Sequence, residues 1–358
     1  MNTLLNKLLL LSAVLISTNA SAMELAGENL EIYGKVHVSV DSSDMDDSTV
    51  TNDGMSVSSN SSRLGFKGKM ATESNIDIVW QLEQEVAYDD SSSAEFANRN
   101  TYIGLASNGH SIRAGVHDTP FKSVASKWGL FGDSVAERRA ILGASFNKGN
   151  QLNERVKNMI MYQFDDRSVK FQAMYAVDAE GTSPGIVDNN DSKMTGLGVW
   201  YKLDGLKLSA GWEGWKKHSV IEDGSAYRLA AAYEIDAHQF GLIYENIDSD
   251  GVSANALAFQ RSAYGVNWKW KYGNRADMRV QYLVANDAEG TTDTGANKLG
   301  LGVYYKLDKA AKVYLAYGAT DNEAGAKFQA VDGGHGDEVK TVNGGKPVSI
   351  STGIEYKF

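Results

Sequence analysis

The side chains able to do chemistry in this 358-residue chain are few and scattered. The histidines, at 37, 110, 117, 218, 238 and 335, include no i,i+4 pair that would bind a metal from one helix face. No Gly-x-Ser-x-Gly turn presents a nucleophile. Cysteine is absent, which removes disulfides, thiolate zinc sites and cysteine nucleophiles together. An enzyme is therefore not expected, and neither a cofactor nor a metal. What the chain does carry is charge on alternate residues of extended segments: Lys35, Lys67, Lys69, Glu83, Arg113, Lys170, Lys202, Lys207, Arg228, Lys269, Arg279 and Lys306. Charges spaced this way share one face of a strand and act there only as a field. The net charge of −10 argues against a phosphate-backbone partner, so nucleic acid is not expected.

The elements that position these charges follow from the rest of the pattern. Residues 1–22 read as an export signal, with Lys7, an apolar run from Leu8 to Ile16 and a small-x-small site at Ala20-Ser21-Ala22. The remaining 23–358 form one domain. No later stretch reaches the roughly 18–20 apolar residues a spanning helix requires. Period two runs through it instead. Val348, Ile350, Thr352, Ile354, Tyr356 and Phe358 alternate with Ser349, Ser351, Gly353, Glu355 and Lys357, and similar segments recur from 30–40 onward. Sixteen such segments are counted. Their links alternate between short turns, such as Asn108-Gly109 and Asp204-Gly205, and long loops near 41–58, 118–155, 178–193, 247–259 and 320–347. Short turns at one end and long loops at the other predict a 16-stranded antiparallel transmembrane β-barrel in the outer membrane. Sixteen strands leave room for an aqueous channel, and the Gly-rich, polar face predicts a wetted lumen.

The third long loop, about 118–155, carries Phe121, Val124, Trp128, Leu130, Phe131, Ile141, Leu142 and Phe146, too many large apolar groups to stand in water. It is expected to fold inward as a constriction. Ser134 with Glu137 three residues on, and Gly143 beyond, predict a helix over 135–142. Asp41, Asp44, Asp46, Asp47 and Asp53 are assigned to an outer loop, where a solvated face is the simpler reading than a divalent-cation site bridging lipopolysaccharide.

Several short runs carry a family likeness: Leu30-Glu31-Ile32-Tyr33-Gly34-Lys35, Ser62-Arg63-Leu64-Gly65-Phe66-Lys67-Gly68, Arg99-Asn100-Thr101-Tyr102-Ile103-Gly104-Leu105, Ile112-Arg113-Ala114-Gly115 and the terminal Tyr356-Lys357-Phe358. In these the sequence resembles the trimeric Gram-negative general diffusion porins, particularly their neisserial and proteobacterial branch. The resemblance implies a homotrimer, contacts through strands 1–5 and 16 with loop 88–97 reaching a neighbour, surrounding outer-membrane lipid and lipopolysaccharide, and a C-terminal Phe358 read by the barrel-assembly machinery. It also implies a basic wall facing acids on the third loop. Matched by position, the wall residues are Lys35, Arg63, Arg99 and Arg155. Strict parity from Arg99 would turn Ile103 and Leu105 inward too, beneath the loop. The acids available are Asp133 and Glu137, with Asp118 just before the loop. The Pro-Glu-Phe-Gly-Gly stretch of enterobacterial porins is missing, and Lys122, Lys127, Arg138, Arg139 and Lys148 outnumber the acids. The expected function is passive diffusion of ions and small hydrophilic solutes with weak selectivity, tending to anions. The alternatives are a channel specific for sugars or phosphate and, more remotely, a barrel enzyme.

Overall fold

Residues 23–24, 30–47, 54–90, 96–126, 128–147, 149–150, 152–179, 192–218 and 221–358 are described by the structure, a computed structural model. The expected export signal, 1–22, lies outside these residues, as do Asp53, Lys127 and Lys148.

The period-two segments form sixteen antiparallel barrel strands. They are β1 (Glu31–Asp44), β2 (Gly54–Ser59 and Arg63–Ala71, broken at 60–62), β3 (Asp77–Glu85), β4 (Thr101–Ser107), β5 (His110–Asp118), β6 (Arg155–Asp165), β7 (Val169–Val177) and β8 (Lys193–Leu203). Then follow β9 (Leu206–His218), β10 (Glu222–Ile235), β11 (His238–Ser249), β12 (Arg261–Tyr272), β13 (Ala276–Ala285), β14 (Ala296–Lys306), β15 (Ala311–Asn322) and β16 (Val348–Lys357). Each pairs with its sequence neighbours, and β16 closes the sheet on β1 from Lys35↔Lys357 to Asp44↔Val348. Closure removes both sheet edges, the condition for a sheet to stand in lipid. Cross-strand partners share a face, so the register decides what the bilayer meets. Val199, Ala210, Leu229 and Tyr244 fall side by side on the outside of β8–β11. Leu229 and Leu242 are 48% and 62% exposed there, in the apolar belt that the alternation predicts.

The long connections are numbered L1 to L8 in chain order, L3 being 119–154 and L8 being 323–347. They are less uniform than the expected alternation. L5 is only 219–221, because β9 and β10 extend to His218 and Glu222. Asp41 and Asp44 belong to β1 rather than to a loop, and Asp41 is buried facing inward, with Ser39 Oγ donating to it at 2.9 Å.

The inner wall also differs from a uniformly wetted face. L3 lies along β8–β15, and the glycines of those strands are its seat. Gly198 and Gly211 are cross-strand partners. A Cβ on Gly198 would stand 2.9 Å from Pro120 Cβ, and one on Gly211 would stand 2.7 Å from Val124 Cγ2. On β15, a Cβ at Gly318 would stand 2.2 Å from the Val135 carbonyl oxygen. The short helix α1 (Pro120–Val124) packs on this floor; the Thr119 hydroxyl caps it by accepting from the Lys122 N–H, and Pro120 opens its first turn. Thr119-Pro120 is the sequence signal for this helix start. The helix predicted over 135–142 is replaced by a 3₁₀ turn, Arg138–Ala140. Ser134 Oγ donates to the Phe131 carbonyl (2.9 Å) instead of capping, and the Glu137 carboxylate is taken up by arginines.

Candidate functional site

Wall donors fasten L3 through its backbone carbonyls. Arg279 Nη1 donates to Leu130 O (2.5 Å), Asn267 Nδ2 to Trp128 O (2.7 Å), Gln281 Nε2 to Ala136 O (3.2 Å) and Ser209 Oγ to Val124 O (3.0 Å). Arg261 bonds the carbonyls of Ile141 and Ala144. Arg228, fully buried, pairs with Glu245 and donates to Phe121 O (3.2 Å). Arg228 and Arg279 are thus inward, as their parity requires, yet they are anchors for L3 rather than charges offered to water.

The open space lies on the other side, between L3 and the end of the barrel formed by β1–β6. It is a cavity of about 1370 Å³. Arg63, Arg99, Lys122, Arg138, Arg139, Arg155 and Lys357 line it, against Glu85, Asp89, Asp90, Asp118, Asp133 and Glu137. The register places Lys357, Lys35, Arg63 and Glu85 in one row across β16, β1, β2 and β3. Three adjacent cations repel, and nearby carboxylates offset that cost. Lys35 Nζ reaches Asp133 Oδ2 of L3 at 2.6 Å, an ion pair joining wall to loop. Arg63 and Arg99 instead share a wall acid: Glu83 lies 3.4 Å from Arg63 Nε and 2.7 Å from Arg99 Nε, and accepts from the Tyr33 hydroxyl at 2.9 Å. Arg155 Nη2 lies 3.3 Å from Asp118, which also pairs with Lys122 at 2.8 Å.

The other two acids border the cavity in different settings. Asp118 is the last residue of β5 and sits on the wall, bonded with Asn100, so it is not an opposing charge on the loop. Glu137 faces its own loop: it is fully buried, pairs with Arg138 (2.9 Å) and Arg139 (3.2 Å), and accepts from the Asp133 N–H (2.8 Å). Burial pushes the Asp133 carboxyl up, but Lys35 and Arg139 outweigh it and hold the group well below the usual carboxylate range. Burial raises Glu137 as well, and Arg139 and Arg138 bring it below its ordinary value.

The parity conflict at Arg99 resolves locally. Ala97 takes a left-handed φ of 62°, and β4 begins only at Thr101, so the alternation restarts between them. Arg99 turns inward while Ile103 and Leu105 face out, 61% and 54% exposed. Among residues the sequence reading passed over, Asn100 accepts from Arg155 Nε (2.8 Å) and from the Asp118 N–H (3.1 Å). Glu83 was placed in the lumen by parity, but nothing in its spacing marked it as the common partner of two arginines.

L8 is a second inward loop, where the sequence pattern predicts only a long connection. Phe328 and Val331 are fully buried. Its turn at 333–336 is tied to β2 and the break at 60–62: Ser61 Oγ donates to Gly334 O (2.8 Å), Gly336 N–H to Asn60 Oδ1 (2.9 Å) and Ser58 Oγ to Asp337 Oδ2 (2.6 Å). His335 Nε2 stands 3.2 Å from Asp41. The apolar run Phe328 to Val331 within a polar loop was the signal available. Phe358 ends the chain outside the barrel, stacked on Tyr356 at 5.8 Å, and its backbone exchanges two bonds with Gly34.

A closed barrel with a lipid-facing apolar belt, a charged interior and an inward loop is the architecture of an outer-membrane channel. The Gram-negative porin family model matches residues 10–325, and the chain belongs to that family. The major outer membrane protein P.IB of Neisseria meningitidis serogroup A is 22% identical over 291 residues, covering 77% of this chain and 81% of that one. Among solved structures, the anion-selective porin from Comamonas acidovorans superposes with a TM-score of 0.75 at 18% identity, covering 92% of this chain and 99% of its own. The outer-membrane expressed OmpT of Vibrio cholerae gives 0.68 at 18% identity, covering 94% and 100%. The protein is an outer-membrane porin, a passive diffusion channel for ions and small hydrophilic solutes.

Proposed function

We propose that L3 forms the constriction of this channel and that its charged rim makes permeation weakly anion-leaning. Lys35, Arg63, Arg99 and Arg155 supply the basic wall, Asp133 the opposing charge, Asp118 a wall acid and Glu137 the internal brace of the loop tip. The observation that carries this reading is the Lys35–Asp133 pair at 2.6 Å, which sets wall and loop charges face to face beside the cavity. Seven basic against six acidic residues line that cavity, an excess small enough for weak selectivity. The selectivity named for the Comamonas porin supports the same sign. No chemical step is involved, and solutes move down their gradients.

In this reading residues 1–22 are removed on export, 23–358 form the barrel, and Phe358 serves assembly. The chain works as a homotrimer surrounded by outer-membrane lipid and lipopolysaccharide. A solved trimeric form of the Vibrio OmpT, with a TM-score of 0.62, supports the stoichiometry. Planar-bilayer recording across a salt gradient tests the function. The expected result is large conductance in steps of three, a small anion preference and no saturation by sugars or phosphate. Replacing Arg63 and Arg99 together by Ser leaves Glu83 without its cationic partners, so the reversal potential shifts toward cations and the size limit rises. An unchanged reversal potential removes both arginines from the constriction.

A further inference from the structure

L3 and L8 are packed as one body. Phe131, Val135 and Ala136 of L3 share an apolar cluster with Ala330, Val331 and Val339 of L8. A backbone bond from Lys327 N–H to the Phe146 carbonyl (2.7 Å) joins them again. Between the two loops stands Lys298, from β14. Its side chain is fully buried, and its ammonium donates to the Val135 carbonyl of L3 (3.3 Å) and to the Ala330 carbonyl of L8. It makes no ion pair with a carboxylate among the described residues. Glu137 and Asp332 act on it only at longer range, and an ammonium buried without a direct ion pair is costly; a methionine would fill much the same space without that charge. What the ammonium adds is one bond to each loop.

The two loops depend on this residue unequally. L3 has further anchors from Arg279, Asn267 and Gln281. The inner run of L8 draws its other side-chain bonds from its own root strand, from Thr320 Oγ1 to Gln329 O (3.0 Å) and from Asn322 Nδ2 to Phe328 O (3.0 Å). Beyond that run, the turn at Gly333 and Gly334 abuts the L3 tip. A Cβ on Gly334 would stand 1.9 Å from Asp133 Oδ1 and 2.5 Å from Arg139 Nη2.

We propose that Lys298 couples L8 to L3, so that L8 forms a second side of the aperture and Lys298 is a positioning residue for permeation. The inference rests on L3 being the constriction. Without the ammonium, the 328–331 run of L8 loosens from L3; the Gly333–Gly334 turn, still tied to β2 through Ser61 and Asn60, parts from Asp133, and the aperture widens while L3 stays anchored.

The test is single-channel recording and solute-size exclusion on the full-length channel carrying Lys298→Met, with Lys298→Arg as the conservative variant and a third channel lacking 332–338. Lys298→Met is expected to raise conductance and admit larger neutral sugars, with the reversal potential held, because the lost charge is away from the water path. Lys298→Arg returns both readouts toward the parent. Adding Lys298→Met to the shortened L8 changes nothing further, since the substitution acts through the missing segment. Parental conductance in Lys298→Met, or full additivity in the double variant, overturns the coupling. Lys298→Leu, which likewise has no donor, is read by the same criteria if the Met variant does not fold. A reversal potential that moves in the Arg63/Arg99 double variant, with Lys298→Met at parental values, rejects the coupling alone. No movement in that double variant rejects the constriction itself.

Discussion

Glu83 shows how one side chain governs the field of the aperture. It is nearly buried and holds Arg63, Arg99 and Tyr33 at once. Replacing it with Gln unbalances two guanidiniums, so the reversal potential is expected to shift toward anions, opposite to the Arg63/Arg99 double variant. Losing a charge-assisted bond in such a setting costs about 1–3 kcal/mol, readable as a lower denaturation midpoint in detergent. Asp133 makes a pH prediction. Its carboxyl is depressed in the folded channel, so its pairing with Lys35 and Arg139 contributes fully above the unfolded carboxylate value of about 3.9 and fades as pH falls through the folded value. Conductance and selectivity attributable to the loop tip are therefore expected to stay constant down to about pH 5, with the parent and Asp133→Asn converging only in strong acid. The inward faces of Lys35 and Glu83 are legible from parity alone, and the wall position of Arg63 from the family likeness. Their partners were not, because a carboxylate's choice among several arginines depends on distances that alternation does not encode.

At the scale of elements, the glycines of the inner wall are the instructive case. Their regular spacing in β8, β9, β14 and β15 suggested a wide wetted lumen, whereas they give L3 a surface without side chains to lie on. A packed glycine and a solvated one look alike in a sequence; only the neighbour differs. Gly318→Ala tests the seat. The added methyl would meet the Val135 carbonyl and push the L3 tip off β15 toward the opposite wall. The expected outcome is lower single-channel conductance with about 1–3 kcal/mol of lost stability, typical of overpacking. The absent helix at 135–142 has a comparable cause. Its capping pair was present in sequence, but Ser134 bonds back to Phe131 and Glu137 is bound by its chain neighbours Arg138 and Arg139, so competing local bonds displace the cap.

For the whole molecule, the alternation carried nearly all of the architecture, since closure and the apolar belt follow from strand number and parity. It did not show that the interior is asymmetric, with L3 against one side, a charged cavity against the other, and the L8 turn reaching across to β2. The belt yields its own prediction. Leu242, on the outer face of β11, is 62% exposed, and Leu242→Lys is expected to cost about 2–4 kcal/mol if it lies near the bilayer midplane. Refolding into lipid vesicles under a urea gradient reads that loss, while conductance of the folded fraction stays at the parental value.

The wall grips L3 by its carbonyl oxygens, from Val124, Trp128, Leu130 and Ala136 to Ile141 and Ala144. Every amino acid has a carbonyl. A grip of this kind does not distinguish one residue from another along the loop, so this part of the attachment, unlike the apolar side chains seated on the glycine floor, is indifferent to the letters it holds. The side chains turned toward the water path are free to be rewritten, by drift or by design, while the loop keeps its course. Retuning what passes and keeping the gate in place are, in this barrel, separate problems.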